Sequence, residues 1–158
     1  MLRVGIGTDR HLLVTGRKLV LGGVVIDFPK GLLGHSDGDV LIHAVIDALL
    51  GAAAMGDIGH HFPDTDPRWK DADSMDMLRI AALMLQDHGF RPVNVDCVVH
   101  LQQPKLAQLK LEMAAQLAEA LRLPRHMVNV KAKTGEGVGV VGSGEVAEAL
   151  AVVLIETT

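Results

Sequence analysis

Three side chains in this sequence combine ligand chemistry with a spacing that can bring them to one point: Asp9, His11 and His43. In an extended chain alternate residues point the same way, so Asp9 and His11 form half of a divalent-metal site. His43 falls in the apolar stretch from Val40 to Met55, about four helical turns, where Asp39, His43 and Asp47 recur every four residues and share one side. Three nitrogen or oxygen ligands with an open fourth position is the arrangement of catalytic rather than structural zinc. Asp39 or Asp47 is then placed to orient the His43 ring from behind. Each piece has a bland alternative: a D-x-H is a common accident, and on spacing alone a lone helix histidine is more often a hydrogen-bonded core residue than a ligand. His60 and His61 compete, because adjacent loop histidines can bend round one ion. His88 reads as a helix-dipole partner in a last turn, and His100 and His126 read as structural.

A second candidate lies in the glycine-rich run from Gly135 to Gly144. It contains a formal G-x-G-x-x-G at 137–142, but a dinucleotide fold needs a following helix, a return strand and an acidic residue about twenty positions on. A phosphate loop is also denied, since Glu145 stands where lysine is required. Two readings stay open. One is a flexible turn between strands; the other is a loop whose backbone N–H groups face phosphate, helped by Lys131 and Lys133, with Glu136 free to hold a hard cation such as Mg²⁺.

The elements that must position these residues follow from period and punctuation. Residues 2–6 and 18–27 read as strands separated by a loop at Gly16, which puts Asp9 and His11 just past the first strand. Ser36-Asp37-Gly38-Asp39 has capping-box spacing ahead of the His43 helix. Residues 56–73, rich in Gly, Pro and Asp, read as a long loop. A second helix is expected from Ser74 to His88, capped by Asp73 or Ser74 and stopped by Gly89. Val93 to Leu101 reads as a strand, and Pro104 as the first position of a third helix that ends before Pro124. Val128 to Lys133 and the stretch from Glu145 to Thr157 read as the last two strands, the latter on its Val152-Val153-Leu154-Ile155 run. The mixed order suggests an α+β sandwich with helices on one face of a sheet, in a single domain over 1–158. The other face needs cover, so a homo-oligomer is expected.

Composition narrows the function classes. At 158 residues, 49% hydrophobic and 22% charged, the chain has the makeup of one globular domain. Three Phe, one Trp and no Tyr argue against stacking platforms for nucleic-acid bases. A net charge of −4 gives no field for polyanions, so a phosphate-bearing ligand needs a metal or a local lysine cluster. The single cysteine, Cys97, excludes an internal disulfide and reads as a buried strand residue. No apolar run is long enough to cross a membrane, and the N-terminal Leu2 to Gly7 carries neither signal nor transit features, so a cytoplasmic location is expected.

Taken together, Asp9-x-His11, the block Gly31 to Val40 with His35-Ser36-Asp37-Gly38-Asp39, His43, Gly56-Asp57-Ile58-Gly59 and Phe62-Pro63-Asp64-Thr65-Asp66-Pro67 resemble the 2-C-methyl-D-erythritol 2,4-cyclodiphosphate synthases. Pro104-Lys105 and Lys131-Ala132-x-Thr134-x-Glu136 extend the resemblance over nearly the whole chain. It implies an enzyme of non-mevalonate isoprenoid synthesis that closes a CDP-methylerythritol phosphate into a cyclic diphosphate and releases CMP. It further implies Zn²⁺ on Asp9, His11 and His43, with Mg²⁺ or Mn²⁺ held by Glu136 between the α- and β-phosphates. By the same resemblance His35 and Thr134 stabilise the transition state, and Arg10, His35 and Ser36 lie with the metal ligands on the diphosphate side. Asp57, Ile58 and Gly59, with Phe62, Pro63, Asp64, Thr65 and Asp66, would hold the methylerythritol moiety. Leu101, Gln102, Gln103, Pro104, Lys105, Leu106 and Ala107 would form the cytidine pocket with Ala132, Lys133 and Thr134, next to Gly135 and Glu136. The implied fold is a ferredoxin-like two-layer sandwich, a mixed four-stranded sheet with helices on one face plus a small hairpin, packed as a homotrimer with sites between subunits. Two positions depart from well-known members. Val140 and Ser143 replace an aromatic and an arginine lining a cavity on the trimer axis that can hold an isoprenoid diphosphate, and Lys133 stands where threonine is common.

Overall fold

A computed structural model describes residues 1–158. The chain opens with β1 (Leu2–Thr15), followed by a hairpin of β2 (Leu19–Leu21) and β3 (Val24–Ile26), then β4 (Lys30–Leu32) and α1 (Val40–Ala53). Next come α2 (Ile58–His61), a 3₁₀ turn at Pro67–Trp69, α3 (Ser74–Asp87) and β5 (Phe90–His100). The last part holds α4 (Lys110–Ala120), a 3₁₀ turn at Arg125–Met127, β6 (Val128–Lys133), α5 (Gly139–Gly142) and β7 (Val146–Thr157). One mixed sheet runs β4-β1-β7-β5-β6, parallel only between β5 and β6. The α+β class is as expected, but β4 makes the sheet five-stranded rather than four-stranded. Leaving out β4, the hairpin and the single-turn helices α2 and α5, the element order is β-α-α-β-α-β-β, so the likeness to a β-α-β-β-α-β ferredoxin-like unit lies in its layers rather than its connections.

Several elements differ from the sequence reading. The first strand does not stop at residue 6: it pairs with β7 from Leu2↔Glu156 to Leu12↔Val146 and then with β4 at Leu13↔Leu32, so Asp9 and His11 lie within it. Residues 18–27 are a hairpin, turned by Gly22 and Gly23 at φ 58° and 75°, the left-handed pair that a tight two-residue hairpin turn requires. The loop at 56–73 contains two short helical turns, capped by the carboxylates of Asp57 and Asp66. Pro104 does not begin a helix; it follows a cis peptide bond after Gln103, and α4 starts only at Lys110. The glycine-rich run includes the helical turn α5 rather than a simple flexible connection.

The core fills the space between the sheet and α1, α3 and α4. Helix α1 is apolar almost all round because it is covered almost all round, with Leu41, Ile42, Ile46, Leu49 and Leu50 fully buried. It lies directly on β1: a Cβ built on Gly5 would sit 1.9 Å from the Ala48 carbonyl oxygen, and one on Gly7 2.0 Å from that of Ala44. The two glycines therefore set the approach of the strand carrying Asp9 and His11 to the helix carrying His43. Alternation along β1 leaves Leu2, Val4, Ile6 and Leu12 exposed on the opposite face of the sheet, flanked by Val152 of β7. No helix is long and apolar enough to cross a membrane.

Candidate metal centre and active site

Strand β1 and helix α1 bring the three expected ligands together. Asp9 Oδ2 lies 2.9 Å from both His11 Nε2 and His43 Nδ1, and those two nitrogens are 3.1 Å apart. Tetrahedral zinc with bonds of 2.0–2.1 Å separates its ligand atoms by roughly 3.3 Å, so the donor set fits such an ion with small adjustments. Each ring is fixed through its other nitrogen. His11 Nδ1 donates to the Leu33 carbonyl at 2.7 Å, and His43 Nε2 lies 2.9 Å from Ser74 Oγ and 3.0 Å from Ser36 Oγ. Burial alone would raise the Asp9 carboxyl, but hydrogen bonds and charge from the two imidazoles hold it well below the usual carboxylate range. Burial also works against the His11 cation; Asp9 and the Leu33 carbonyl outweigh it and raise its pKa.

The rest of the aspartate stripe has other work. Asp39, which is fully buried, is the N-cap of α1, accepting from the Leu41 and Ile42 N–H groups at 3.2 and 3.1 Å. It also accepts from Gly22 and Gly23 at 2.9 and 2.8 Å, clamping the hairpin turn to the helix start. Burial pushes its carboxyl up to about 6 against the pull of those backbone donors. Asp47 accepts the Ile58 N–H at 2.7 Å, and burial raises its pKa. Neither aspartate orients His43, so that expectation is corrected: Ser36 and Ser74 stand at its ring. Ser74 escaped the sequence reading because a serine at a helix start is explained by the helix alone. The rival histidines are separate from the centre; His61 Nε2 donates to the Met55 carbonyl at 2.7 Å and its ring meets His60 edge-on. His88 caps α3, its Nδ1 2.8 Å from the Met84 carbonyl.

The triad opens into a cleft of about 420 Å³ lined also by His35, Ser36, Asp47, Ile58, Gly59, Phe62, Pro63, Asp64, Trp69 and Met77. A larger groove of about 780 Å³ lies elsewhere, between the C-terminal ends of α3 and α4 and the start of β5, and has no such cluster. Chemistry, not size, picks out the smaller cleft. Arg17 donates to the Ser36 carbonyl at 2.6 Å and the His35 carbonyl accepts from Asp71 at 2.8 Å, so this loop is stapled from both sides while the His35 side chain remains exposed. Asp57, Thr65 and Asp66 lie outside the cleft lining; Asp57 caps α2 and Asp66 pairs with Arg68 at 2.6 Å. Arg10 projects from the other sheet face to Glu148 at 2.7 Å.

The remaining candidates gather at a different edge. Lys133 pairs with His100, His100 with Glu148, and Glu148 with Arg10, so they share one level of the sheet with the triad. Three strand spacings nevertheless separate β6 from β1, roughly 14 Å. There Thr134 Oγ1 donates to Glu136 Oε1 at 2.6 Å, Gln102 Oε1 accepts the Gly135 N–H at 3.1 Å, and the Leu101 N–H reaches the Lys133 carbonyl at 2.9 Å. Gln103, Lys105, Ala107 and Val140 are exposed, Leu106 is buried, and Ser143 donates to Glu145 at 2.6 Å. Within one chain the triad and the Thr134–Glu136 loop therefore lie apart on the sheet.

The sequence matches the YgbB family over residues 2–156. It is 57% identical over 154 residues to a 2-C-methyl-D-erythritol 2,4-cyclodiphosphate synthase of Dechloromonas aromatica, covering 98% of this chain and 96% of that one. The fold superposes on the bifunctional IspDF of Campylobacter jejuni with a TM-score of 0.96 and 41% identity, covering 100% of this chain and 43% of that longer one. A CDP-bound form of a 2C-methyl-D-erythritol-2,4-cyclodiphosphate synthase matches with a TM-score of 0.89 and 40% identity over 98% of this chain and 100% of that one. With sequence and fold matching over almost its full length, the chain belongs to the YgbB family.

Proposed function

We propose that this chain converts 4-diphosphocytidyl-2-C-methyl-D-erythritol 2-phosphate to 2-C-methyl-D-erythritol 2,4-cyclodiphosphate and CMP. The observation that carries this is the convergence of Asp9 Oδ2, His11 Nε2 and His43 Nδ1 in a chain of this family. An oxygen of the 2-phosphate attacks the β-phosphorus, the bond from that phosphorus to the bridging oxygen breaks, and CMP departs with the electron pair. A divalent cation on the triad, zinc by its donor set, supplies positive charge that screens the two phosphates and stabilises the transition state. The chain's own part is placement. Asp9, His11 and His43 fix the cation, the exposed His35 ring reaches phosphate at the cleft mouth, and Ile58, Gly59, Phe62, Pro63 and Asp64 shape the pocket for the methylerythritol unit.

Thr134, Glu136 and the 101–107 and 132–135 segments serve the nucleotide side, with Glu136 holding Mg²⁺ or Mn²⁺ against the diphosphate. Since this half lies roughly three strands from the triad, the site is completed by a second copy in a homotrimer. The exposed Leu2, Val4, Ile6 and Leu12 face supports that assembly. The enzyme works in the cytoplasm.

Incubation with the CDP-methylerythritol 2-phosphate and divalent metal should release CMP with the cyclic diphosphate and no solvent oxygen in the product. Absence of CMP overturns the reading, and labelled solvent oxygen in the product would make the protein a hydrolase. Mixing inactive His43→Ala and Glu136→Gln subunits should restore about a quarter of wild-type activity through sites formed between copies. No recovery after verified subunit exchange would place both half-sites in one chain.

A further inference from the structure

The protons around His43 can be accounted for one by one. Asp37 has only lone pairs to offer. Its Oδ1 accepts the Asp39 N–H at 3.0 Å and the hydroxyl proton of Ser74, and its Oδ2 accepts the Ser74 N–H at 3.0 Å. Ser74 has a single hydroxyl proton, and that proton is committed to Asp37. Its oxygen therefore turns a lone pair towards His43 Nε2 at 2.9 Å, where it can only accept. The proton of the neutral imidazole must then sit on Nε2, which leaves the Nδ1 lone pair facing Asp9 and His11. Ser74 is fully buried and His43 is 8% exposed, so water does not compete for these positions.

We propose that Asp37 and Ser74 are positioning residues that fix the tautomer and rotation of His43 for the metal, through a carboxylate–hydroxyl–imidazole relay. The inference rests on the metal reading above. Neither residue touches the ion; each acts through the ring. The relay also joins the loop before α1 to the first residue of α3, so the ligand on one helix is held by the start of another. Ser36 Oγ lies 3.0 Å from the same nitrogen and 3.4 Å from Ser74 Oγ; with its own proton turned to Ser74 it too accepts from Nε2, which makes it the obvious competitor for the role.

The test is Zn²⁺ affinity by chelator competition, with the visible absorption of the Co²⁺-substituted protein as a readout of ligand geometry. Ser74→Ala should weaken Zn²⁺ binding by about 10- to 100-fold and alter the Co²⁺ spectrum, while Ser74→Thr, which keeps the hydroxyl, should restore both. Asp37→Asn can turn an N–H₂ towards Ser74 and free the serine proton to point at His43, so it should weaken binding similarly. In the double variant the two effects should fail to add, the mark of one relay rather than two local disturbances. Wild-type affinity and spectrum in a folded Ser74→Ala protein would overturn the proposal and assign the role to Ser36. Should Ser74→Ala not fold, Ser74→Cys against Ser74→Thr makes the same comparison with a poor acceptor, and equal affinities there overturn it too. A wild-type protein that binds no Zn²⁺ would refute the metal reading itself.

Discussion

The triad and the Thr134–Glu136 loop stand at the same level of one sheet yet are built in opposite ways. Around the triad every ring nitrogen and the Asp9 carboxylate has a partner, and β1, the loop between β4 and α1, α1 itself and α3 all contribute. Around Glu136 the side chain bonds mainly to its own loop, is exposed, and sits on a residue with φ of 50°, a conformation that a β-carbon disfavours. The first half is determined by one chain's packing; the second is held by little beyond its own loop. On the function proposed above, a single chain preorganises the metal ligands and leaves the nucleotide side to be completed by assembly.

The sharpest way to break the contrast is His43→Ala. Bound zinc should fall from stoichiometric to background by elemental analysis, with turnover falling at least about a thousandfold, while circular dichroism stays that of the native fold. Retained stoichiometric zinc would transfer the ligand role to His60 or His61. Next comes Gly7→Val, which forces side-chain atoms into the α1 backbone. It should cost about 3 kcal/mol or more in urea unfolding and lower zinc affinity without touching a ligand, because the strand and helix can no longer meet.

Asp39→Asn should cost about 2 kcal/mol, since an amide cannot accept from all four N–H groups that converge there. The sign of its pH dependence is fixed. The folded carboxyl titrates near 6 against an ordinary 3.8, so its contribution to stability is complete below 3.8 and lost as pH rises through 6. Melts at about pH 4 and pH 7 should show that wild-type slope reduced in the variant, and an unchanged slope would contradict the burial of this charge. The smallest effect belongs to the loop side. Asp96→Asn breaks the exposed pair with Lys131 at 2.6 Å, which holds the Asp96 carboxyl below its usual range. Its contribution is present above the ordinary carboxyl pKa and lost on acidification. The change should fall below about 0.5 kcal/mol at neutral pH, and a larger loss would mean that β6 depends on that pair.

Much of the triad half was legible in sequence, because β-strand alternation and a four-residue helical repeat are local rules that act through side chains. The Ser36 and Ser74 contacts and the Asp39 clamp were not. They depend on where backbone N–H groups and helix starts meet in space, and a serine or aspartate near a cap looks the same whether or not a hairpin or imidazole arrives there. The length of β1 was missed because Gly7 and the polar run Thr8-Asp9-Arg10-His11 look like the end of an apolar strand, whereas backbone pairing with β7 continues through them to Leu12. Pro104 misled for a related reason: a proline marks helix starts and tight turns alike. The apolar outer face was foreseen from the need to cover a sheet, which is a global rather than a local demand.

The carboxylate of Asp39 also acts as an index mark. It binds the first turn of α1 on one side and a two-glycine turn on the other, so the helix can begin at only one residue. An α-helix advances by about 100° per residue, and a slip of one position would turn His43 away from β1 altogether. The angular setting of the candidate metal centre is thus encoded four residues upstream, in a group that stands apart from the three ligand atoms.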